Sequence, residues 1–228
     1  MFKYVGKRLL ASTVTLFIIL TTVFVLMRQM PIEGYFDNFD KVDQAVINAK
    51  LDQLGLRDTM PVQLKNFYTG LLRGDLGVSN RYRTGAPIAE IIASKAPISI
   101  QMGLLSMAVS LLLGIPLGAK MARSKSKLWD KLGTGFIVFI NAVPAAVYYI
   151  YLQSFGSKAL DIPMLFNPAS PLSWVLPVFS MSLGSIAYYA MWLRRYMVDE
   201  LNKDYVKLAR AKGVPGQDIT MKHVFRNA

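Results

Sequence analysis

The stretch LLASTVTLFIILTTVFVLM, Leu9 to Met27, holds nineteen residues and no charge. At about 1.5 Å of rise per residue, a helix of that length crosses the roughly 30 Å hydrocarbon core of a bilayer. Lys3, Lys7 and Arg8 precede it, as they would precede a secretory signal. The apolar run exceeds the ~7–15 residues of a signal core, and Arg28-Gln29-Met30-Pro31 offers no small-residue cleavage site. The stretch reads as a retained first transmembrane helix.

Working outward, three more uncharged runs follow: Ala96 to Ala119, Leu132 to Ser157 and Ala169 to Leu193. Each is long enough to span with some tilt. Pro116, Pro144 and Pro177 lie inside these runs. Membrane bundles tolerate such prolines because neighbouring groups re-satisfy the freed backbone. The bulk composition agrees, with 53% hydrophobic and 18% charged residues in 228, against about 25% charged in soluble domains. The absence of cysteine excludes disulfides and thiolate chemistry.

A net charge of +12 invites a nucleic-acid reading, and the distribution of the charge removes it. The N-terminus carries +3, the linker Lys120 to Lys131 carries +4, and the tail from Arg194 carries +4. Pro31 to Lys95 has eight basic and eight acidic residues, and the loop around Lys158 and Asp161 is neutral. By the positive-inside rule, the N-terminus, the second connection and the tail are expected in the cytoplasm. Topology accounts for the excess, and no nucleic-acid partner is needed. The expected organisation is a cytoplasmic N-terminus and first span over residues 1–30 and an external segment over 31–95. A three-span core over 96–193 and a cytoplasmic segment over 194–228 follow. The fold class is an all-α polytopic helical bundle with a small external helical segment.

Within the external segment, Val42, Ala45, Val46, Ala49 and Leu54 recur at roughly helical spacing. Val62, Phe67, Leu71 and Leu72 do so in a second stretch, opened by Pro61 at a favoured first helical position. Gly70, Gly74, Gly77 and Gly85 punctuate a turn-rich stretch beyond. Two small amphipathic helices are expected, as a cap or as a docking face.

The spans carry few chemical groups. Gly114 and Gly118 have the spacing that lets helix backbones approach closely. Asn141, three residues before Pro144, is costly to expose to lipid. It reads either as a pathway-lining polar group beside a kink or as an interhelical hydrogen-bond partner. Ser180, Ser182 and Ser185 raise the same question, with bonding to their own helix as the simpler answer. The one histidine, His223, lies in the tail without a metal-ligand motif, and no phosphate-binding loop occurs. No charge interrupts any span, so the relay of a proton-coupled pump is missing, and no intramembrane peptidase set is present. Neither catalysis nor a bound cofactor or metal is expected in this chain.

The tail reads Asp199-Glu-Leu-Asn-Lys-Asp-Tyr-Val-Lys-Leu-Ala-Arg-Ala-Lys-Gly213-Val-Pro-Gly. Asn202 or Asp204 is placed to cap a helix that Gly213 ends, with Pro215 two residues later. Tyr205, Leu208 and Ala209 fall on one side of it, and Lys203, Lys207 and Arg210 elsewhere. On its own this is a surface helix, lying on a membrane or docked in a partner's groove.

Asp204-Tyr-Val-Lys-Leu-Ala-Arg-Ala-Lys-Gly213, followed by Met221-Lys-His-Val-Phe-Arg-Asn-Ala228, resembles the coupling-helix signature of binding-protein-dependent ABC importer permeases. It is most similar to the peptide and nickel branch. Lys207, Leu208, Ala209 and Gly213 take the places of the family's Glu-Ala-Ala and glycine, and replacement of the glutamate is usual in that branch. Leu54-Gly-Leu, Pro61 with Gln63, and Gly74-Asp-Leu-Gly-Val-Ser79 resemble the branch's external segment, so the resemblance covers essentially the whole chain.

The resemblance implies a permease subunit in the cell membrane, paired with a homologous second subunit and fed by an external substrate-binding protein. Two cytoplasmic ATPase subunits, which hold the ATP, would push on the helix comprising Asp204, Tyr205, Leu208, Ala209, Arg210, Ala211, Lys212 and Gly213. Ala209 and Ala211 would permit close approach, Gly213 the turn, and Arg210 and Lys212 ion pairs with ATPase carboxylates. A bulky residue at Gly213 is expected to uncouple hydrolysis from uptake. Family members continue into about two further spans, about six in all, which implies a chain truncated at its C-terminus. Without the resemblance, a secondary transporter or channel subunit, or a membrane-anchored sensor without an ATPase partner, stays open.

Overall fold

The structure, a computed structural model, describes residues 2–36, 39, 42–79 and 82–225. Two compact units divide the chain, Met1–Lys95 and Ala96–Ala228.

In the first unit, helix α1 (Phe2–Arg28) runs unbroken through the opening stretch. Three of its hydroxyls are satisfied within the helix, because Thr13, Thr15 and Thr22 donate to the carbonyls of Leu9, Ala11 and Ile18, one turn back. Leu9, Leu10, Phe17 and Ile18 face outward. So continuous an apolar surface suits lipid or neighbouring helices rather than water.

Helix α2 (Gln44–Gln53) starts at Asp43, whose carboxylate accepts the amide of Ala45 at 2.7 Å. Helix α3 (Met60–Leu72) has Pro61 in its first turn. The expected stripe of α2 is displaced. Ile47 and Leu51 are buried against Phe36, whereas Val46 is 55% exposed. Helical periodicity admits two adjacent stripes on α2, and the aromatic partner that decides between them lies upstream of the helix. Buried Gln63 closes the α2–α3 turn by donating to the carbonyl of Asp58 at 2.7 Å. The ring of Tyr68 on α3 stacks on Phe17 of α1, and its hydroxyl pairs with Thr21 at 2.7 Å. Gly74, Gly77 and Gly85 adopt positive φ, while Gly70 belongs to α3.

Helix α4 (Ile88–Arg123) leads into the second unit, where α5 (Leu128–Ala142), α6 (Ala145–Leu160) and α7 (Leu172–Leu201) follow. Both α4 and α7 continue through their internal prolines, Pro97 and Pro116 in α4 and Pro177 in α7. Along α4, Ser106, Ser110, Gly114 and Gly118 recur every fourth residue and all are buried. Ser106 donates to the carbonyl of Val178, and Ser110 to that of Ser182. A Cβ on Gly114 would stand 3.1 Å from the carbonyl oxygen of Ile186, and one on Gly118 only 2.7 Å from that of Ala190. Successive partners advance together on both helices, so α4 and α7 run parallel with their backbones nearly touching. The glycine spacing thus marks a helix–helix contact within the chain.

The third apolar run is not one kinked helix. It breaks at Val143 and Pro144 into α5 and α6, bent by 106°. Proline disfavours helical geometry in the residue before it, and Val143 is extended with ψ 127°. Three helices, α1, α4 and α7, are individually long and apolar enough to cross a membrane, and the bent pair makes a fourth candidate. Because α4 and α7 are parallel, α5 and α6 together must carry the chain back from the end of one to the start of the other.

Candidate functional site

The features that matter gather at the C-terminal ends of α4 and α7. There α7 ends at Leu201, and after one turn the chain forms helix α8 (Asp204–Ala211). Neither expected cap operates. Lys203 occupies the N-cap position without a side-chain bond, Asn202 donates to the carbonyl of Val198, and Asp204 pairs with Lys207 at 2.8 Å. The hydroxyl of Tyr205 donates to Glu200 at 2.6 Å and so ties α8 to the last turn of α7.

The far end of α8 is locked by backbone geometry. Gly213 has φ +76°, its amide bonds the carbonyl of Arg210, and the amide of Val214 reaches back to Ala209. This nested pair is the Schellman arrangement, and Val214 and Ala209 both pack against the same buried apolar cluster. Space around Gly213 is open, with no atom within 4 Å of an added Cβ. Its requirement is conformational.

Helix α8 is seated by a residue that periodicity assigned to no face. Val206 is fully buried, in a cluster with Ala122 of α4, Met197 of α7, and Ile219 and Val224 beyond α8. Ala209 packs on its edge. Tyr205 and Leu208 turn outward, Leu208 57% exposed, and Asp204, Lys207, Arg210, Ala211 and Lys212 are exposed too. The missed signal was the run Val206, Ala209, Gly213, which has i, i+3, i+7 spacing. Past α8, Gly216–Asp218 form one helical turn that passes into a π-helical stretch, Ile219–Val224. Arg226, Asn227 and Ala228 of the quoted tail lie outside the described residues.

A second feature escaped the sequence reading. Asp130, in the first turn of α5 and 4% exposed, forms a two-point ion pair with Arg194 of α7. Arg194 Nε and Nη2 lie 2.5 and 2.8 Å from its two carboxylate oxygens. One of these oxygens also accepts the amide of Ser126 at 2.8 Å, and Ser126 has a left-handed φ of 65°. Beside it, the ammonium of Lys120 sits over the ring of Trp129. In the sequence both ion-pair partners look like ordinary flanking charges, 64 residues apart.

Asn141 and Pro144 stand away from this cluster. The amide of Asn141 donates to the carbonyl of Ile137 in its own helix at 2.9 Å, and its side chain is exposed. No interhelical partner accompanies it among the described bonds. Pro144 is the N-cap of α6 and marks the elbow. Among the described residues, no group of three His, Cys, Asp or Glu side chains is placed to hold a metal.

Membrane-length helices, a broken return segment and a short helix locked at the ends of α4 and α7 define a polytopic helical membrane protein. Residues 114–228 match the family described as binding-protein-dependent transport system inner membrane component. The chain belongs to that family, the permease subunits of ABC importers. The glutathione transport system permease protein GsiC of Salmonella typhimurium is 31% identical over 234 residues, which takes in the whole chain and 74% of the relative. The oligopeptide permease OppB of Haemophilus influenzae and the dipeptide permease DppB of Lactococcus lactis are each 28% identical, with the same coverage. Such subunits are transport components rather than enzymes.

Proposed function

We propose that this chain lines half of the pathway of an ATP-driven importer for peptides, and that α8 is where ATPase subunits push. The observation that carries this reading is the build of α8. It is a helix of eight residues with one buried apolar anchor, a locked end and an outward face bearing Leu208, Arg210 and Lys212. A partner groove takes up Leu208, and partner carboxylates pair with the two cations. Because Val206 seats α8 on α4 and α7, a push on it moves both as a rigid body. Two cytoplasmic ATPase subunits hold the ATP, a homologous second permease completes the pore, and an external binding protein delivers substrate. The charge distribution supports a cytoplasmic N-terminus and tail, with residues 31–95 outside. Peptides are the substrate class in the names of the relatives above.

The test is reconstitution of the subunit with its ATPase and second-permease partners in proteoliposomes. Peptide uptake should require ATP inside and the binding protein outside, and the binding protein should stimulate hydrolysis. Uptake driven by an ion gradient without ATP would overturn the reading in favour of a secondary transporter.

A further inference from the structure

We infer that the Asp130–Arg194 pair is a positioning clamp that makes α5, and with it the α5–α6 elbow, follow α7 when α8 is moved. This rests on the reading of α8 as the coupling element. Arg194 lies one turn before Met197, and Met197 is buried in the cluster that seats Val206. Displacement of α8 therefore reaches α7 and α4 directly, through packed side chains.

Helix α5 has no residue in that seat. It meets α7 and α4 mainly through Ile137, Ile140 and Met121, apolar contacts that favour closeness but not one register. Among the described residues, the directional bonds between α5 and α7 are the two from Arg194 to Asp130. A forked guanidinium–carboxylate contact fixes both distance and angle, and fixing register is the best-attested use of a buried ion pair. The second bond of Asp130, from the amide of Ser126, extends the clamp to the turn that joins α4 to α5. One carboxylate thus ties three segments together: the turn after α4, the start of α5 and the C-terminal part of α7. Beyond α5 lies the elbow at Val143 and Pro144, so register lost at Asp130 is lost for the whole return segment.

The experiment uses the assembled transporter, with Asp130→Asn, Arg194→Gln and the reversed pair Asp130→Arg/Arg194→Asp. Each single variant should lower peptide uptake per ATP hydrolysed at least tenfold, with hydrolysis held near the wild-type rate. The reversed pair should recover at least threefold. A merely structural role would lower uptake and hydrolysis in step with the amount of assembled complex, and that result overturns the clamp. So does unchanged uptake, or a reversed pair no better than the singles. If the wild-type complex shows no ATP-driven uptake, the proposed function fails, and amide exchange then decides the clamp alone. Asp130→Asn should speed exchange at Ser126 and at the last turns of α7 at least tenfold. Unchanged protection there overturns it.

Discussion

Asp130 and Arg194 differ in what the loss of the partner leaves behind. The carboxylate is enclosed, whereas the arginine side chain keeps 31% of its exposure and can turn its head group toward water. Arg194→Ala strands a buried charge and should cost about 3 kcal/mol, the usual penalty for breaking such a pair from one side. Asp130→Asn strands nothing comparable and should cost about 1 kcal/mol, the scale of a lost hydrogen bond. Thermal unfolding in detergent should therefore rank Arg194→Ala well below Asp130→Asn. Gly213, expected to permit the turn that ends α8, is held there by conformation rather than size. Open space surrounds it, so size is not the constraint, and the left-handed φ is. Gly213→Asn should keep uptake near wild type, because asparagine tolerates that conformation. Gly213→Ala should cost about 1 kcal/mol in the lock and weaken coupling despite its small side chain. If alanine proved harmless and only large residues uncoupled, the conformational account would fail.

The helices show why some sequence signals were legible and others not. Length and apolarity identified α1, α4 and α7, because a bilayer imposes a minimum that few soluble segments meet. Faces were harder. On α2 and on α8 the period was visible but the phase was displaced, since Ile47 and Val206 owe their burial to Phe36 and to the ends of α4 and α7. Pro144 was visible as well, yet it produced a 106° elbow where Pro116 and Pro177 left their helices continuous. The residue type does not carry that difference. The two glycine environments of α4 give a direct check. Gly118→Leu would drive a Cβ into the backbone of Ala190, whereas Gly103 faces open space. Gly118→Leu should abolish the folded protein in membranes, and Gly103→Leu should leave its level within about twofold, since surface changes typically stay within ±0.5 kcal/mol.

At the scale of the whole molecule, topology rests on charge, and the chain is convenient for testing it because it contains no cysteine. Single cysteines at Thr84 and at Lys207, both exposed, can be labelled in intact cells with a membrane-impermeant maleimide. Thr84→Cys should label from outside and Lys207→Cys only after the membrane is opened. Labelling of Lys207→Cys from outside would invert the assignment. The Asp130–Arg194 link is the part of the candidate site least legible in sequence. Its meaning depends on two helix ends being brought together, and no local pattern encodes that meeting.

The seam between α4 and α7 has a mechanical consequence. Two rods separated by flexible side chains can slide past one another and bend separately under load. Where Gly114 and Gly118 bring backbone against backbone, there is no compliant layer to absorb shear. The pair resists bending as one thick beam, so thrust applied at one end arrives at the other with little lost as deformation.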